Sequence, residues 1–586
     1  MKLVSRRKYV PLYRGEKIFS RLRINNDKLS GWLIKLVKQT FYPVFVTGIL
    51  MGIGCVTFGQ AGSYSWNSLP KIEIPVFKKD TFNITQFGAV PDGIALNTSA
   101  INKAIEHCSR QGGGVVLVPP GVWLTGPLEL KNNVNLHISR TGLLLFTTDK
   151  SRYKLVEGNF EGRKAIRNQS PISGRDLENI AITGDGIIDG NGDVWRPVKK
   201  EKLTEGEWQQ LVASGGILSE DGKVWYPSEG YRLGERWKSE GASLSPADYE
   251  SIKDFLRPNL VVLTNCSKVL LQGVNFQNSP AWGLHTIFCT NITFDGIRVR
   301  NRPSAQNGDG IDIESCSYVE VKNCTLDCGD DGICIKSGKD EEGRRVGKPS
   351  QYIIIRNNIV YRGHGGFVIG SEMSGGVHDV FVSDCMFIGT DVGLRFKTTR
   401  GRGGIVENIH IRNINMHNIV HDAIVFDMYY FTKAPDLVQT NGKVEIPPVD
   451  EGTPQFRKFY ISNLVCESAD RAMLIRGLPE MSIRDIHMDN VIIKANRGAD
   501  VIEANNIHFK DVKFQCTLSK PLINLENSRN ILFDRVVSLS APEQFFSING
   551  DRSQEIKVNH TDMSTAKEAV IFNFGAKETV FSTDGE

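Results

Sequence analysis

One short template recurs through most of this chain and restricts what it can fold into. It reads x-[apolar]-x-[apolar]-x-[Asn/Asp/Gly]-[apolar]-x-[apolar]. It appears as NIAITGDGII, KVLLQGVNF, NITFDGIRV, YVEVKNCTL, YIIIRNNIV, DVFVSDCMF, NIHIRNINM, KFYISNLVC, DIHMDNVII, NIHFKDVKF, NILFDRVVS and EIKVNHTDM. Its first apolar residues are Ile180, Val269, Ile292, Val319, Ile353, Val380, Ile409, Phe459, Ile486, Ile507, Ile531 and Ile556. From Val269 onward most steps are about 21 to 30 residues. The long steps into Ile353 and Phe459 mark inserted loops. Alternation over such short runs is a strand signal. The Asn, Asp or Gly between two runs is where a coil bends, because these residues tolerate left-handed backbone angles. Each repeat holds short strands and no helix, and WD or LxxLxL signatures are absent, so neither a propeller nor a leucine-rich repeat fits. The pattern predicts an all-β chain, a right-handed parallel β-helix (solenoid).

The solenoid needs an end cap, since an open coil exposes strand edges and core. FNITQFGAVPDGIALNTSAINKAIEHCSRQGGG supplies one. It predicts a strand over Phe82–Ile84, a turn at Pro91-Asp92-Gly93 and a helix from Thr98 to Ser109, capped by Asn97 or Thr98. The run Gly112–Gly114 stops the helix. Residues 195–258 lack the template and form an insertion. Within it, Thr204…Glu207 and Ser245-Pro246…Asp248 read as capping-box helix starts, and a loop this long is usually functional.

Residues 1–38 carry 11 Lys and Arg against Glu16 and Asp27, a net +9, which leaves −5 of the formal +4 for the rest. That mildly acidic remainder argues against nucleic acid as a partner. An uncharged run, Phe41–Phe58, follows the basic segment, and small residues follow the run. Residues 1–61 therefore read as a basic segment plus signal peptide or signal-anchor, and 62–586 as the catalytic β-helix. Export to the periplasm, cell surface or medium is expected, with possible membrane anchorage through this segment. Cys55 also allows a lipoprotein-type cleavage, and a buried helix is the alternative. The 11 cysteines are an odd count. Cys266, Cys289, Cys316, Cys324, Cys385 and Cys466 fall at related places in the repeat, as small side chains stacked inside a solenoid would.

The chemistry is concentrated between Asn307 and Gly404. The stretch reads NGDGIDIES, CGDDGICIKSG, YRGHGGFVIGS and GLRFKTTRGRGG, with about 20 to 35 residues between signatures. Groups one coil apart lie above one another, so Asp309, Asp312, Asp330, Asp331, His364, Arg395 and Lys397 should converge on one face. Carboxylates crowded together repel, and at least one should keep its proton near neutral pH. A retained proton beside an ionised carboxylate is what glycosidic hydrolysis requires. Arg395 and Lys397 alternate around Phe396 and point to one side of a strand, with Arg400 and Arg402 following. Such cations suit a substrate carboxylate.

These signatures resemble glycoside hydrolase family 28, the polygalacturonases, whose pattern is N-x-D, D-D, G-H-G and R-x-K. Here the matches are Asn307-Gly308-Asp309, Asp330-Asp331, Gly363-His364-Gly365 and Arg395-Phe396-Lys397. The resemblance extends from about Phe82 to at least Asp427. It implies an inverting hydrolase of α-1,4-galacturonosidic bonds in pectin or polygalacturonate. Asp330 would be the general acid, Asp309 and Asp331 would activate water, and His364 would tune the acid. Arg395 and Lys397 would hold a galacturonate carboxylate, with Asn307 and Lys336 as further substrate-binding candidates. The resemblance implies no metal or cofactor, an acidic polysaccharide as partner, and a monomer. Gly308 stands where many members carry Thr, and Cys328-Gly329 departs beside the aspartates. Alternatives are an endo-polygalacturonase, a hydrolase of rhamnogalacturonan-type pectin, a pectate lyase and a non-catalytic β-helical adhesin. Trp195, Trp208, Trp225, Tyr226, Tyr231 and Trp237, with Arg232 and Arg236, suggest that the insertion closes one end of the groove and makes the enzyme exo-acting.

Overall fold

A computed structural model describes residues 64–584. The basic segment 1–38, the apolar run Phe41–Phe58 and Cys55 lie outside the described residues. Thirty-six strands join one continuous sheet wound into a right-handed parallel β-helix. Every template start stacks on the next. Ile180 pairs with Val269, Val269 with Ile292, Ile292 with Val319 and Val319 with Ile353. The same column continues from Ile353 to Ile556 with no slip. These side chains are buried. Each removes apolar area from water worth about 1.5–3 kcal/mol, and a one-residue slip would turn the whole row outward.

Most coils contribute three strands, which build three stacks. The first stack holds Ser267–Gln272, Thr290–Asp295 and Ser317–Lys322. The second holds Asn275–Gln277, Arg298–Arg300 and Thr325–Asp327. The third holds Leu284–Ile287, Ile311–Glu314 and Ile333–Lys336. The bend between the first two stacks is left-handed at Gly273, Gly296, Asn323, Asn357 and Asp384, as expected. A second left-handed column lies just before each template start, at Lys268, Asn291, Tyr318, Tyr352 and Asp379.

All ten cysteines among the described residues are free and buried. Three of them form a ladder, in which the Cys266 amide donates to Cys289 Sγ and the Cys289 amide to Cys316 Sγ.

The capping helix spans Thr98–Arg110. Asn97 precedes it but does not cap it with its side chain, which bonds instead to the backbone of Val90, Ala95 and Leu124. The first strand is Thr81–Asn83, and a short 3-10 turn at Ile84–Phe87 replaces its predicted end.

The insertion forms a small lobe. Both capping boxes are present, at Glu205–Ala213 and Pro246–Ser251. A third helix, Glu229–Glu240, was not anticipated. Of the six rings expected as an aromatic platform, Tyr226 and Trp237 are half-buried and the other four are withdrawn from solvent. Trp195, Trp208, Trp225 and Tyr231 are buried, and Arg232 and Arg236 pair locally with Glu229 and Glu240. A lobe this small needs a core, and within it Tyr231 packs against Tyr226 at 5.6 Å and Phe255 at 5.4 Å.

A second departure from the solenoid lies one coil earlier. Leu155–Phe160 and Arg163–Asn168 form an antiparallel hairpin between the second and third stacks. The hairpin runs across the outer face of the third stack, and its tip lands at the far end of Ile333–Lys336. There the Lys339 amide donates to Gly162 O at 3.1 Å, the Lys339 ammonium lies 3.6 Å from Glu161, and Arg163 pairs with Asp340. Lys238 of the lobe braces Glu161 at 3.4 Å. Phe160 stacks on Trp282 at 5.1 Å.

Candidate active site

The turns leading into the third stack form one column along the body. Asn307 and Asp309 precede Ile311–Glu314, Asp330 and Asp331 precede Ile333–Lys336, and His364 precedes Phe367–Ile369. Ile311 pairs with Ile333, and Ile333 with Phe367. Coils are about 4.8 Å apart, so residues a full repeat apart in sequence become neighbours. One oxygen from each of Asp309, Asp330 and Asp331 lies within 4.8 Å of the others. The tandem aspartates sit at a bend rather than in a strand, so both reach the cluster.

Glycines permit this approach. A Cβ on Gly308 would lie 2.8 Å from both Cβ and O of Ala305, so the residue common elsewhere would force this turn open. Gly363 has φ +101°, and a Cβ there would come within 2.4 Å of Asp330 O. The close contact lets the His364 amide donate to Asp330 O at 3.0 Å. Cys328 is buried in the core. Its departure from the family pattern therefore leaves the groove surface unchanged.

The charges divide the three carboxyls. Asp331 is 2% exposed at its side chain, bonded to Lys397 Nζ at 2.7 Å and Arg395 Nη1 at 3.2 Å. Burial opposes its ionisation, yet Lys397, Arg395 and Lys336 hold it well below the usual carboxylate range. Asp309 is pushed the other way, first by burial and then by the charges of Asp330 and Asp312. Its Oδ1 is buried without a hydrogen-bond partner. Burial and neighbouring charge thus favour the neutral form at Asp309 and the ionised form at Asp331. Asp330 is the most open of the three, at 18%. Its Oδ1 lies 3.0 Å from His364 Nδ1, and this bond raises the histidine's proton affinity.

The remaining predicted residues are engaged rather than free. Lys336 is buried, 3.3 Å from Glu372 and 3.7 Å from Asp312, with its ammonium 4.8 Å from the Trp282 ring. Its ammonium is therefore committed to buried carboxylates. Asp312 sits under the cluster, and burial pushes its carboxyl up to about 8. The Asn307 side-chain oxygen accepts from Arg257 at 2.7 Å. Arg400 pairs with Glu480 and Arg402 with Asp340. Neither is a groove cation.

Several neighbours were not anticipated. Asp391 lies 3.8 Å from His364 Nε2. It occupies the same turn position one coil on, so counting repeats would have found it. Tyr430 lies 5.7 Å from Arg395 and 5.1 Å from Lys397. Its loop lies outside the template and carries no periodic signal. Glu372 follows a glycine-serine bend and pairs with Lys336 across 36 residues.

Comparison with known proteins agrees with this geometry. Residues 204–450 match the family described as glycosyl hydrolases family 28, and residues 81–190 match a rhamnogalacturonase A/epimerase, pectate lyase-like family. The chain is 30% identical over 421 residues to a probable polygalacturonase of Vitis vinifera, covering 70% of this chain and 74% of that one. It is 28% identical to an exo-poly-alpha-D-galacturonosidase of Dickeya chrysanthemi, over 80% of this chain and 73% of that one. Endo-polygalacturonases are also among its relatives. A crystal structure of a hyperthermoactive exopolygalacturonase from Thermotoga maritima superposes with a TM-score of 0.59 at 32% identity, covering 72% of this chain and 89% of that one. This chain is a glycoside hydrolase and belongs to glycosyl hydrolases family 28.

Proposed function

We propose that this protein is an inverting, exo-acting polygalacturonase that removes galacturonate units from chain ends of pectic polymers. The chemistry rests on the Asp309–Asp330–Asp331 cluster. Burial and mutual repulsion favour one retained proton in this cluster, and Asp309 is the member pushed towards holding it. Transfer of that proton to Asp330, the most open of the three, arms that residue to protonate the leaving glycosidic oxygen. Asp309 and Asp331 are then both ionised and take the proton of a water attacking the anomeric carbon. His364, bonded to Asp330, orients the acid. Arg395, at the groove edge with long contacts to Asp331 and His364 O, is placed to meet a uronate carboxylate. Lys397 chiefly keeps Asp331 ionised.

The exo reading is carried by one observation: the hairpin 155–168 lies across the third-stack face on the N-terminal side of the catalytic turns. A β-helix groove without such a crossing is open at both ends and admits mid-chain segments. Here the Phe160–Trp282 stack and the Gly162–Lys339 bond wall off one end. The insertion contributes as a brace through Lys238 and through Arg257, which fixes the Asn307 turn. The similarity to an exo-poly-alpha-D-galacturonosidase and an exopolygalacturonase supports the same reading.

Early digests of polygalacturonate should contain monomer or dimer with little loss of viscosity. Rapid thinning with a ladder of mid-length oligomers would overturn the exo assignment. An unsaturated, ultraviolet-absorbing product would overturn hydrolysis itself.

A further inference from the structure

On the side of the catalytic turns away from the hairpin, one aromatic ring stands almost free in solvent. Phe431 is 79% exposed, and its backbone is left-handed at φ +68°, outside both left-handed columns of the coil. A bulky side chain adopts that conformation at a cost, and it persists where the surroundings fix it. Here they do. The Tyr430 amide donates to Thr398 O at 3.0 Å, and the Thr432 amide to Tyr429 O at 2.9 Å. The Tyr429 amide donates to Asp427 Oδ1 at 2.9 Å. The Tyr429 ring is buried, 5.1 Å from the Arg400 guanidinium and 5.8 Å from that of Arg476. The turn is held on both sides of Phe431, and the ring projects from it.

Its neighbours relate the ring to the reaction. Phe431 packs on Tyr430 with centroids 3.9 Å apart, and Tyr430 meets Arg395 at 5.7 Å and Lys397 at 5.1 Å. The loop follows Asp422–Asp427, which pairs with the Arg395 strand on its C-terminal side. With the hairpin closing the N-terminal side, a polymer whose end sits at the catalytic turns must run out over this coil. Beyond Phe431 the way is open. Thr432 and Lys433 line a crevice of about 560 Å³ between the loop and the third stack, with Arg476, Asn524 and Phe574. A single exposed apolar residue is ordinary on a protein surface. A ring fixed in a costly conformation, beside the substrate cations and along the exit of the groove, is not.

We infer that Phe431 is a specificity-determining residue, a platform for one sugar ring of the polymer that remains after cleavage. The placement rests on the exo-acting reading. A pyranose presents C–H bonds on its flat face, and the phenyl ring offers them an apolar surface without regard to charge. Phe431 therefore reads chain length, on galacturonate and methyl-esterified residues alike, while Arg395 reads a carboxylate. No bond is made or broken at the ring.

Steady-state kinetics on digalacturonate and tetragalacturonate test this. The dimer spans only the cleavage point, whereas the tetramer reaches past it. The parent protein should prefer the tetramer in kcat/KM. Phe431→Ala should lose about fivefold of that preference, the weight of one aromatic contact. The loss should appear in KM rather than kcat, because the contact is the same before and during the reaction. Phe431→Tyr should keep the preference, and Phe431→Leu, apolar but without a flat face, should lose it. Thermal unfolding should match the parent in all three, since the side chain is exposed. An undiminished preference in Phe431→Ala, an equal loss on dimer and tetramer, or full retention in Phe431→Leu would each overturn the assignment. Failure of the exo reading would appear separately, as mid-length oligomers released from long polymer by the parent protein.

Discussion

Asp330→Asn should lower turnover on polygalacturonate by about three orders of magnitude while leaving the fold intact. The substitution removes the transferable proton and keeps the shape. An asparagine oxygen can still accept from the Asp331 amide, now bonded at 3.0 Å, and from His364. Thermal unfolding and the far-ultraviolet spectrum should therefore match the parent protein, and substrate binding should persist. A folded variant retaining most of its activity would remove Asp330 from the acid role.

Lys397→Met should damage both stability and catalysis. Lys397 and Asp331 are buried and 2.7 Å apart, so removing the ammonium leaves an anion with only Arg395 and Lys336 for compensation. Breaking a buried pair of this kind costs about 3–5 kcal/mol, and the remaining cations place this case at the lower end. The pH dependence has a definite sign. Asp331 is depressed in the folded state, so its contribution is present above the unfolded value and is lost as pH falls through the folded one. Without Lys397 the folded value rises, and acid unfolding should begin at higher pH. Activity should fall alike on de-esterified and methyl-esterified polymer, because the lysine acts through Asp331. Arg395→Met should instead hurt the de-esterified polymer more. Equal loss for Arg395→Met on both substrates would assign that residue, too, to holding Asp331.

The legible parts of this molecule were those repeated at a fixed period. Strand starts from Ile180 to Ile556 could be aligned because each must bury one β-branched or aromatic side chain above the last, and the catalytic turns inherit that period. The second left-handed column was hidden because Lys268, Tyr318 and Tyr352 are not residues that usually announce such a backbone. The helix Glu229–Glu240 was missed because Ser228 caps it with Tyr231, not an acid or amide, three residues on.

The hairpin left even less trace. LVEGNF and RKAIRN carry little apolar alternation, since these strands are half-buried or exposed and stand outside the core. Composition alone therefore points to the aromatic-rich lobe as the closure of the groove. Four of its rings are buried, and the wall proposed here is a segment whose partners, Trp282 and Lys339, lie more than a hundred residues away.

We propose that three crowded carboxyls carry out a single displacement by water. Closest oxygens within 4.8 Å are nearer than the ~6.5–9.5 Å separation usual for a two-carboxylate inverting pair, and closer to the ~5–5.5 Å of a retaining one. The third carboxylate makes the difference. We propose that Asp331, held by Lys397 and Arg395, acts as a base for water and does not attack carbon. Proton NMR of the first product released from polygalacturonate, recorded before mutarotation, reads the outcome directly. Inverted configuration at the anomeric carbon is predicted; a retained configuration would mean that one of these aspartates forms a covalent glycosyl intermediate, and would contradict the mechanism.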